Sequence, residues 1–288
     1  MLTPSSARSA SLRALMADHT VVLPGAINAL SARLIERMGF EAIYLSGAVL
    51  ANSVGGVPDV GLMTLTEAEK HAQSIAQVTT LPIIADADTG FGEKDNTIRT
   101  IQVLEHAGVS GVHLEDQVFP KRCGHLEGKQ LVSAAEFGEK IAAASAARHS
   151  EDFLLIARTD ARSVDGYDAA VARAQAYLDA GADAIFPEAL RGEDEFRRFA
   201  KDIHAPLLAN MTEFGATPYF TVERFADMGY NLVIFPVTLQ RVAMKAMESV
   251  LQCLKEEGSQ ERMLPAMQTR QELYDLLGYE AQVSAQRK

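Results

Sequence analysis

The chain contains little that would place it outside a cell, in a membrane or on nucleic acid. Its 288 residues include only two cysteines, Cys123 and Cys253. Two thiols cannot form a disulfide framework, which points to a reducing cytoplasm. No run of about 18 uninterrupted apolar residues occurs, so no membrane span is expected. The Ser-, Ala- and Arg-rich segment 1–20 resembles neither a secretion signal nor a lipid anchor. Positive charge is scarce: 27 Lys and Arg stand against 38 Asp and Glu, a net charge of −11. A face that neutralises phosphates is basic, so nucleic acid is not an expected partner. A small anionic substrate is compatible, because a few cations or a metal can invert the field inside a cleft. No His/Cys cluster at zinc spacing, no low-complexity segment and no linker is present, and residues 1–288 read as one domain.

The rest of the sequence follows a single repeating pattern. Eight short apolar runs rich in Val, Ile and Leu have the length of buried strands: residues 21–27, 42–47, 81–88, 111–117, 153–160, 184–189, 206–212 and 232–237. Segments of helical periodicity lie between them, at 29–38, 66–78, 97–107, 134–147, 168–180, 194–201 and 222–228. Several end in a glycine stop just before the next strand (Gly39, Gly108, Gly181, Gly229). Strand, helix, glycine, strand implies parallel βαβ units, and eight of them predict an α/β fold closed into a (β/α)₈ TIM barrel. An open doubly wound sheet is the rival, but it would have fewer strands and a G-x-G-x-x-G after the first, which is missing here. Helix-like sequence continues over 239–257 and 259–277, so 239–288 is expected as a C-terminal helical extension that caps the barrel or packs on a neighbouring subunit.

Polar residues gather at the ends of the predicted strands, alternating with apolar ones so that they share a face. They are Tyr44 and Ser46, Asp86 and Asp88, His113, Glu115 and Gln117, Arg158 and Asp160, Glu188, and Asn210 and Thr212. The C-terminal ends of the strands are where a barrel of this kind carries its active site. Charged groups are rarely buried unless paired or metal-bound. Asp86, Asp88 and Glu115, with Asp59 from a nearby loop, form an all-oxygen donor set suited to a hard cation, Mg²⁺ in preference and Mn²⁺ as its substitute. Beyond the fourth strand, Lys121-Arg122-Cys123-Gly124-His125 sets a thiol among cations and an imidazole, an environment that favours thiolate. By itself this loop reads first as a solvated basic loop with an idle cysteine; the surrounding acids reverse that reading. Cys253 and the remaining histidines read as packing or surface residues.

On these residues the chain resembles the isocitrate lyase/phosphoenolpyruvate mutase superfamily, and within it the 2-methylisocitrate lyases. The matching segments are Tyr44-Leu45-Ser46-Gly47, Asp86-Ala87-Asp88-Thr89-Gly90-Phe91-Gly92, His113-Leu114-Glu115-Asp116-Gln117, the Cys123 loop, Ala157-Arg158-Thr159-Asp160-Ala161, Phe186-Pro187-Glu188-Ala189, Asn210-Met211-Thr212-Glu213-Phe214-Gly215 and Met267-Gln268-Thr269-Arg270. The cysteine loop separates the lyases from the mutases. The resemblance implies Mg²⁺-dependent retro-aldol cleavage of 2-methylisocitrate to pyruvate and succinate, in propionate catabolism. Asp86 and Asp88 would bind the metal, with Asp59 and Glu115 supporting it through water. Cys123 would be the proton-delivering acid and Tyr44 the base or alkoxide donor. Ser46, Gly47 and Ala48 would hold the pyruvate-forming part through backbone donors. Gly124, His125, Arg158, Glu188, Asn210, Thr212, Arg241 and Arg270 would position the substrate. Phe186, Ile234 and Pro236 would shape the pocket for its methyl group.

The resemblance and the surplus C-terminal helices together suggest a homotetramer with a helix exchanged between paired subunits. Ala48 stands where such lyases carry a second glycine; its N–H donor survives, but a left-handed conformation there would be strained. Lyases acting on 2,3-dimethylmalate or isocitrate are the alternatives within the class. A non-catalytic barrel serving as a scaffold is the alternative outside it.

Overall fold

The computed structural model of the chain describes residues 5–286 with the exception of His125. All eight expected strands form: β1 (Val21–Pro24), β2 (Ile43–Leu45), β3 (Ile83–Asp86), β4 (Gly111–Glu115), β5 (Leu154–Thr159), β6 (Ala184–Pro187), β7 (Leu208–Asn210) and β8 (Leu232–Phe235). Each is shorter than its apolar run, because the final residues turn out of the ladder to form the rim. Pairing is parallel throughout, in the orders β2-β3-β4-β5-β6 and β1-β8-β7. Single bridges between Gly25 and Tyr44 and between Ile185 and Leu207 join the two sets, so the ring is closed.

Two apolar layers hold it. Alternate strand residues such as Leu23, Tyr44, Ile84, Ile156, Phe186 and Ile234 fill the barrel interior. Their neighbours, among them Ile43, Ile83, Val112 and Leu155, face outward onto Ile101, Phe137, Tyr177 and Phe225 of the surrounding helices. Those helices begin on local signals. Asn28 and Thr64 close capping boxes at the Ala29–Arg37 and Leu65–Ala76 helices. The expected glycine stops lie in the left-handed region, with φ of 84°, 96°, 106° and 91° at residues 39, 108, 181 and 229.

The structure adds an element that the sequence pattern does not announce. Ser5–Asp18 is helical and closes the N-terminal end of the barrel, where Leu12 and Met16 join the interior cluster. Arg8, buried on this helix, donates through Nη2 to the carbonyls of Ala76 and Thr79 at 2.8 and 2.7 Å, which offsets part of the cost of burying it.

At the other end the expected helix over 239–257 is Thr238–Glu257. The expected helix over 259–277 is instead broken into a short Glu261–Ala266 turn and the Arg270–Leu277 helix. Pro265 has no N–H to continue the first piece, and a Thr269–Glu272 capping box starts the second. No described helix is long and apolar enough to cross a membrane.

Candidate active site

Strand geometry delivers the polar residues to one end of the ring. A cavity of about 330 Å³ at the C-terminal ends of the strands is lined by Tyr44, Ser46 and Ala48 from β2 and the turn after it, Asp86 from β3, Arg158 from β5, Glu188 after β6, and Asn210 and Thr212 at β7. Asp59, Lys121, Cys123, Gly124 and Arg241 add to the wall, and Phe186, Ile234 and Pro236 are on its apolar side. Gly47, Asp88 and Glu115 stand directly behind this surface. Arg270 lies at the start of an outer helix and is not among the lining residues. His125 falls outside the described residues.

The turn after β2 explains the small residues there. Ser46 caps a short helix, Gly47–Leu50, and accepts from the Val49 N–H at 3.4 Å. Ala48 is helical, so a glycine is not needed at that position. Gly47 is different: a Cβ there would sit 2.8 Å from Asp86 Oδ2 and 3.4 Å from Asp88 Oδ1. Its N–H donates to Asp86 Oδ2 at 3.1 Å, while the Asp88 N–H donates to Asp86 Oδ1 at 3.0 Å. The Gly47 donor is therefore committed to the carboxylate rather than to substrate. Asp88 itself adopts a left-handed φ of 46°, a conformation that aspartate tolerates better than most residues.

Buried charge is the dominant feature of the site. Lys121 places its ammonium 2.5 Å from Asp59 and 2.9 Å from Asp88. It neutralises two of the proposed metal carboxylates and lines the same cavity as Cys123. Arg158 bonds Asp160 through Nε at 3.0 Å and approaches Glu115 at 3.1 Å and Glu188 at 3.4 Å. Burial works against both cations, but the surrounding carboxylates hold them well above their ordinary pKa values. Burial also pushes Asp88 up to about 6, against Lys121 and reinforced by Asp86, and raises Glu115 well above the carboxylate range. For Asp86, burial is outweighed by His113 first and then by Lys121 and Arg158, and its carboxyl stays below the usual range.

Among the described residues no three of these acids converge closely enough to enclose an ion by themselves. The donor set nonetheless fits one. Asp59, Asp86, Asp88, Glu115, Asp160 and Glu188 outnumber Lys121, Lys129 and Arg158, and a divalent cation would correct the imbalance. Both Glu115 oxygens are buried and accept no hydrogen bond, although Oε2 lies 3.1 Å from Arg158 Nη1. Asp86 reaches the cavity with Asp88 behind it, an arrangement suited to Mg²⁺, which keeps much of its water.

Tyr44 OH lies 2.7 Å from His113 Nε2. Burial raises the tyrosine well above its usual value and lowers His113 to about 4. The pair is neutral, and Tyr44 carries its proton at physiological pH.

The Cys123 loop leaves the barrel after β4 and returns to it, with Gln117 bridged to Leu131 at its base. The Gln117 side chain both donates to the Arg122 carbonyl and accepts from the Arg122 N–H, each at 2.9 Å. Gly124 rests flat on the substrate face: a Cβ there would meet Arg158 Nη2 at 2.3 Å and Glu188 Oε2 at 2.7 Å. Only glycine permits that approach, and it brings the adjacent thiol over the cavity. Two contributors could not be identified from sequence as partners of the site. Lys121 reads as one cation among several, and Lys129 stands six residues past the cysteine in a stretch without periodicity.

A (β/α)₈ barrel with acidic strand ends and a cysteine loop folded across its mouth defines a class of enzyme. The profile of the phosphoenolpyruvate phosphomutase family matches residues 12–255, and the chain belongs to the phosphoenolpyruvate mutase/isocitrate lyase superfamily. Within it, the chain is 54% identical over 259 residues to a 2-methylisocitrate lyase of Aeropyrum pernix, covering 90% of this chain and 83% of that one. A crystal structure of 2,3-dimethylmalate lyase superposes with a TM-score of 0.92 at 38% identity, over 100% of this chain and 96% of that one. Phosphonopyruvate hydrolase in complex with oxalate and Mg²⁺ superposes with a TM-score of 0.88 at 32% identity, over 98% of each chain.

Proposed function

We propose that the protein is a Mg²⁺-dependent carbon–carbon lyase that cleaves 2-methylisocitrate to pyruvate and succinate in propionate catabolism. The observation that carries this reading is the seating of Gly124 against Arg158 and Glu188, next to Cys123 in the same cavity that Asp86 enters. A proton donor, a carboxylate-binding guanidinium and a metal-binding carboxylate then face one substrate. The identity to a 2-methylisocitrate lyase supports the choice of substrate.

Asp86 and Asp88 would hold the ion, with Asp59 and Glu115 behind them through water. Bound there, it would stabilise negative charge on the oxygen of the forming 2-keto acid as a Lewis acid. Arg158 grips a substrate carboxylate, and Glu188, Asn210, Thr212 and Arg241 fix its orientation; Arg270 would reach the site only from a neighbouring subunit. Tyr44 donates a hydrogen bond to the oxygen that becomes the pyruvate carbonyl, and the hydroxyl proton that this oxygen gives up passes to a carboxylate of the acidic set, Asp86 or Asp88, acting as base. As the carbon–carbon bond breaks, its electron pair remains on the succinate fragment. The Cys123 thiol supplies the proton that quenches it. The closed loop keeps water from the carbanion. Phe186, Ile234 and Pro236 give the substrate methyl an apolar wall.

We further propose that the chain acts as one barrel unit with 239–288 as a helical extension. It would assemble as a homotetramer with a C-terminal helix exchanged between paired subunits. Two cysteines are too few for a disulfide framework, which is consistent with a cytoplasmic location.

The test is 2-keto-acid release from 2-methylisocitrate, 2,3-dimethylmalate and isocitrate, with and without EDTA. The expected result is selective release from 2-methylisocitrate, abolished by EDTA and restored by Mg²⁺. Preference for 2,3-dimethylmalate would favour the second reading, which the 0.92 TM-score to that lyase supports. No release from any acid in the presence of Mg²⁺ would leave a scaffold.

A further inference from the structure

The loop carrying Cys123 is held at both sides of the thiol, and the second hold involves a residue outside the reaction chemistry. Lys129 lines a neighbouring cavity rather than the substrate cavity. Its side chain is 1% exposed, against an Asp160 side chain that is 0% exposed. An ammonium so placed is tolerated only where its charge and donors are matched. Lys129 Nζ donates to Asp160 Oδ1 at 2.7 Å and, at close range, to the carbonyl of Gly124. The loop is thereby tied to the barrel at the residue after the cysteine.

The barrel side of this tie is rigid. Asp160 accepts from Arg158 Nε at 3.0 Å, and its backbone N–H donates to Asp116 Oδ1 at 2.9 Å. Asp116, fully buried, also accepts from Thr159 Oγ1 and Tyr177 OH, each at 2.8 Å. The Asp160 carboxylate that holds the loop is therefore the one that orients Arg158. Loop position and carboxylate grip are set by one group.

We propose that Lys129 is a positioning residue, a latch that seats Gly124 on Arg158 and so sets Cys123 at the reacting carbon. The catalytic half of this inference rests on the lyase reading; the structural half does not. If the latch is released, the Gly124 carbonyl loses its donor, Asp160 keeps only part of its counter-charge, and the thiol is no longer fixed over the cavity.

The experiment compares the full-length wild type with Lys129→Met, which keeps the apolar stem and removes both bonds. Two readouts are taken. In substrate-free enzyme, alkylation of Cys123 by iodoacetamide, followed by peptide mass spectrometry, is expected to accelerate several-fold as the loop opens. In turnover of 2-methylisocitrate, kcat is expected to fall on the order of 100-fold, the scale of an ångström-sized misplacement, with KM moving much less. Lys129→Arg, which restores charge and donors, should recover part of both. If Lys129→Met does not fold, Lys129→Gln is used, because it can still donate to Asp160 but is too short to reach both acceptors. Unchanged alkylation in a folded variant overturns the latch, whatever the turnover. Equal losses in kcat and substrate affinity with unchanged alkylation would make Lys129 merely structural. Absence of lyase activity in the wild type would refute the functional reading and leave the alkylation result to decide the latch.

Discussion

At the scale of single residues, the site works by keeping some groups neutral and others charged in one buried volume. His113 is the clearest neutral case. Burial depresses its pKa to about 4 in the folded protein, against about 6.5 in an unfolded chain. A depressed folded pKa means that the unfolded state takes up the proton first. The stability is complete above about pH 6.5 and is lost as pH falls towards 4. Between pH 7.5 and pH 5 this histidine should cost about 2 kcal/mol of unfolding free energy. Carboxylates contribute over the same range, so the quantity to measure is a difference. Urea unfolding at the two pH values should show a smaller loss in His113→Gln than in the wild type, and equal losses would refute the assignment. The stretch of sequence that yields His113 also yields Lys121, which stands two residues before Cys123. That its ammonium lies on Asp59 and Asp88 was not legible, because the path of a loop is not encoded in any periodicity.

At the scale of elements, the short turn after β2 decides whether the acidic cluster can form. Gly47 N–H and the absence of a Gly47 side chain both serve Asp86. Gly47→Ala introduces a methyl 2.8 Å from Asp86 Oδ2, at a distance a Cβ does not normally take. The carboxylate has little room to yield, since its other oxygen is held by the Asp88 amide. The expected outcome is weakened Mg²⁺ activation, by about tenfold or more in the concentration giving half-maximal rate, if Asp86 must rotate by one hydrogen bond's worth of energy. Ala48→Gly, one residue on, should leave that concentration unchanged, because Ala48 is already helical.

The strands and helices around this turn were legible because branched apolar runs and glycine stops repeat along the chain. The Ser5–Asp18 helix was not. Much of its docking is polar, through Arg8 and Ser9 to backbone carbonyls, and such contacts leave no hydrophobic pattern to read. The rim residues were legible for the opposite reason: charges at the ends of buried strands conflict with their surroundings, and that conflict is visible in sequence.

At the scale of the whole molecule, the Thr238–Glu257 helix remains to be accounted for. It is 20 residues long, yet Cys253 is its only buried residue. Val242, Met244, Met247 and Leu251 are 65%, 56%, 49% and 65% exposed and line a groove with Phe214 and Arg241. An amphipathic helix is stabilised mainly by burying its apolar face, and a contiguous apolar stripe of this kind marks an interface. A second copy of the chain is the occupant proposed here, through the exchanged helix. The helix also carries Arg241, which lines the substrate cavity and pairs with Glu213 at 3.4 Å. Assembly and catalysis should therefore fail together. Replacing Met247 and Leu251 jointly by Glu places two charges in the proposed contact without touching the cavity. Light scattering should show a mass reduced towards that of the single chain, and keto-acid release should fall with it, whereas circular dichroism should retain the barrel signal. A double variant that keeps the wild-type mass would refute this interface. A variant that dissociates with full activity would show instead that Arg241 is positioned by its own chain alone, through Glu213 and the Phe214 ring 5.3 Å away.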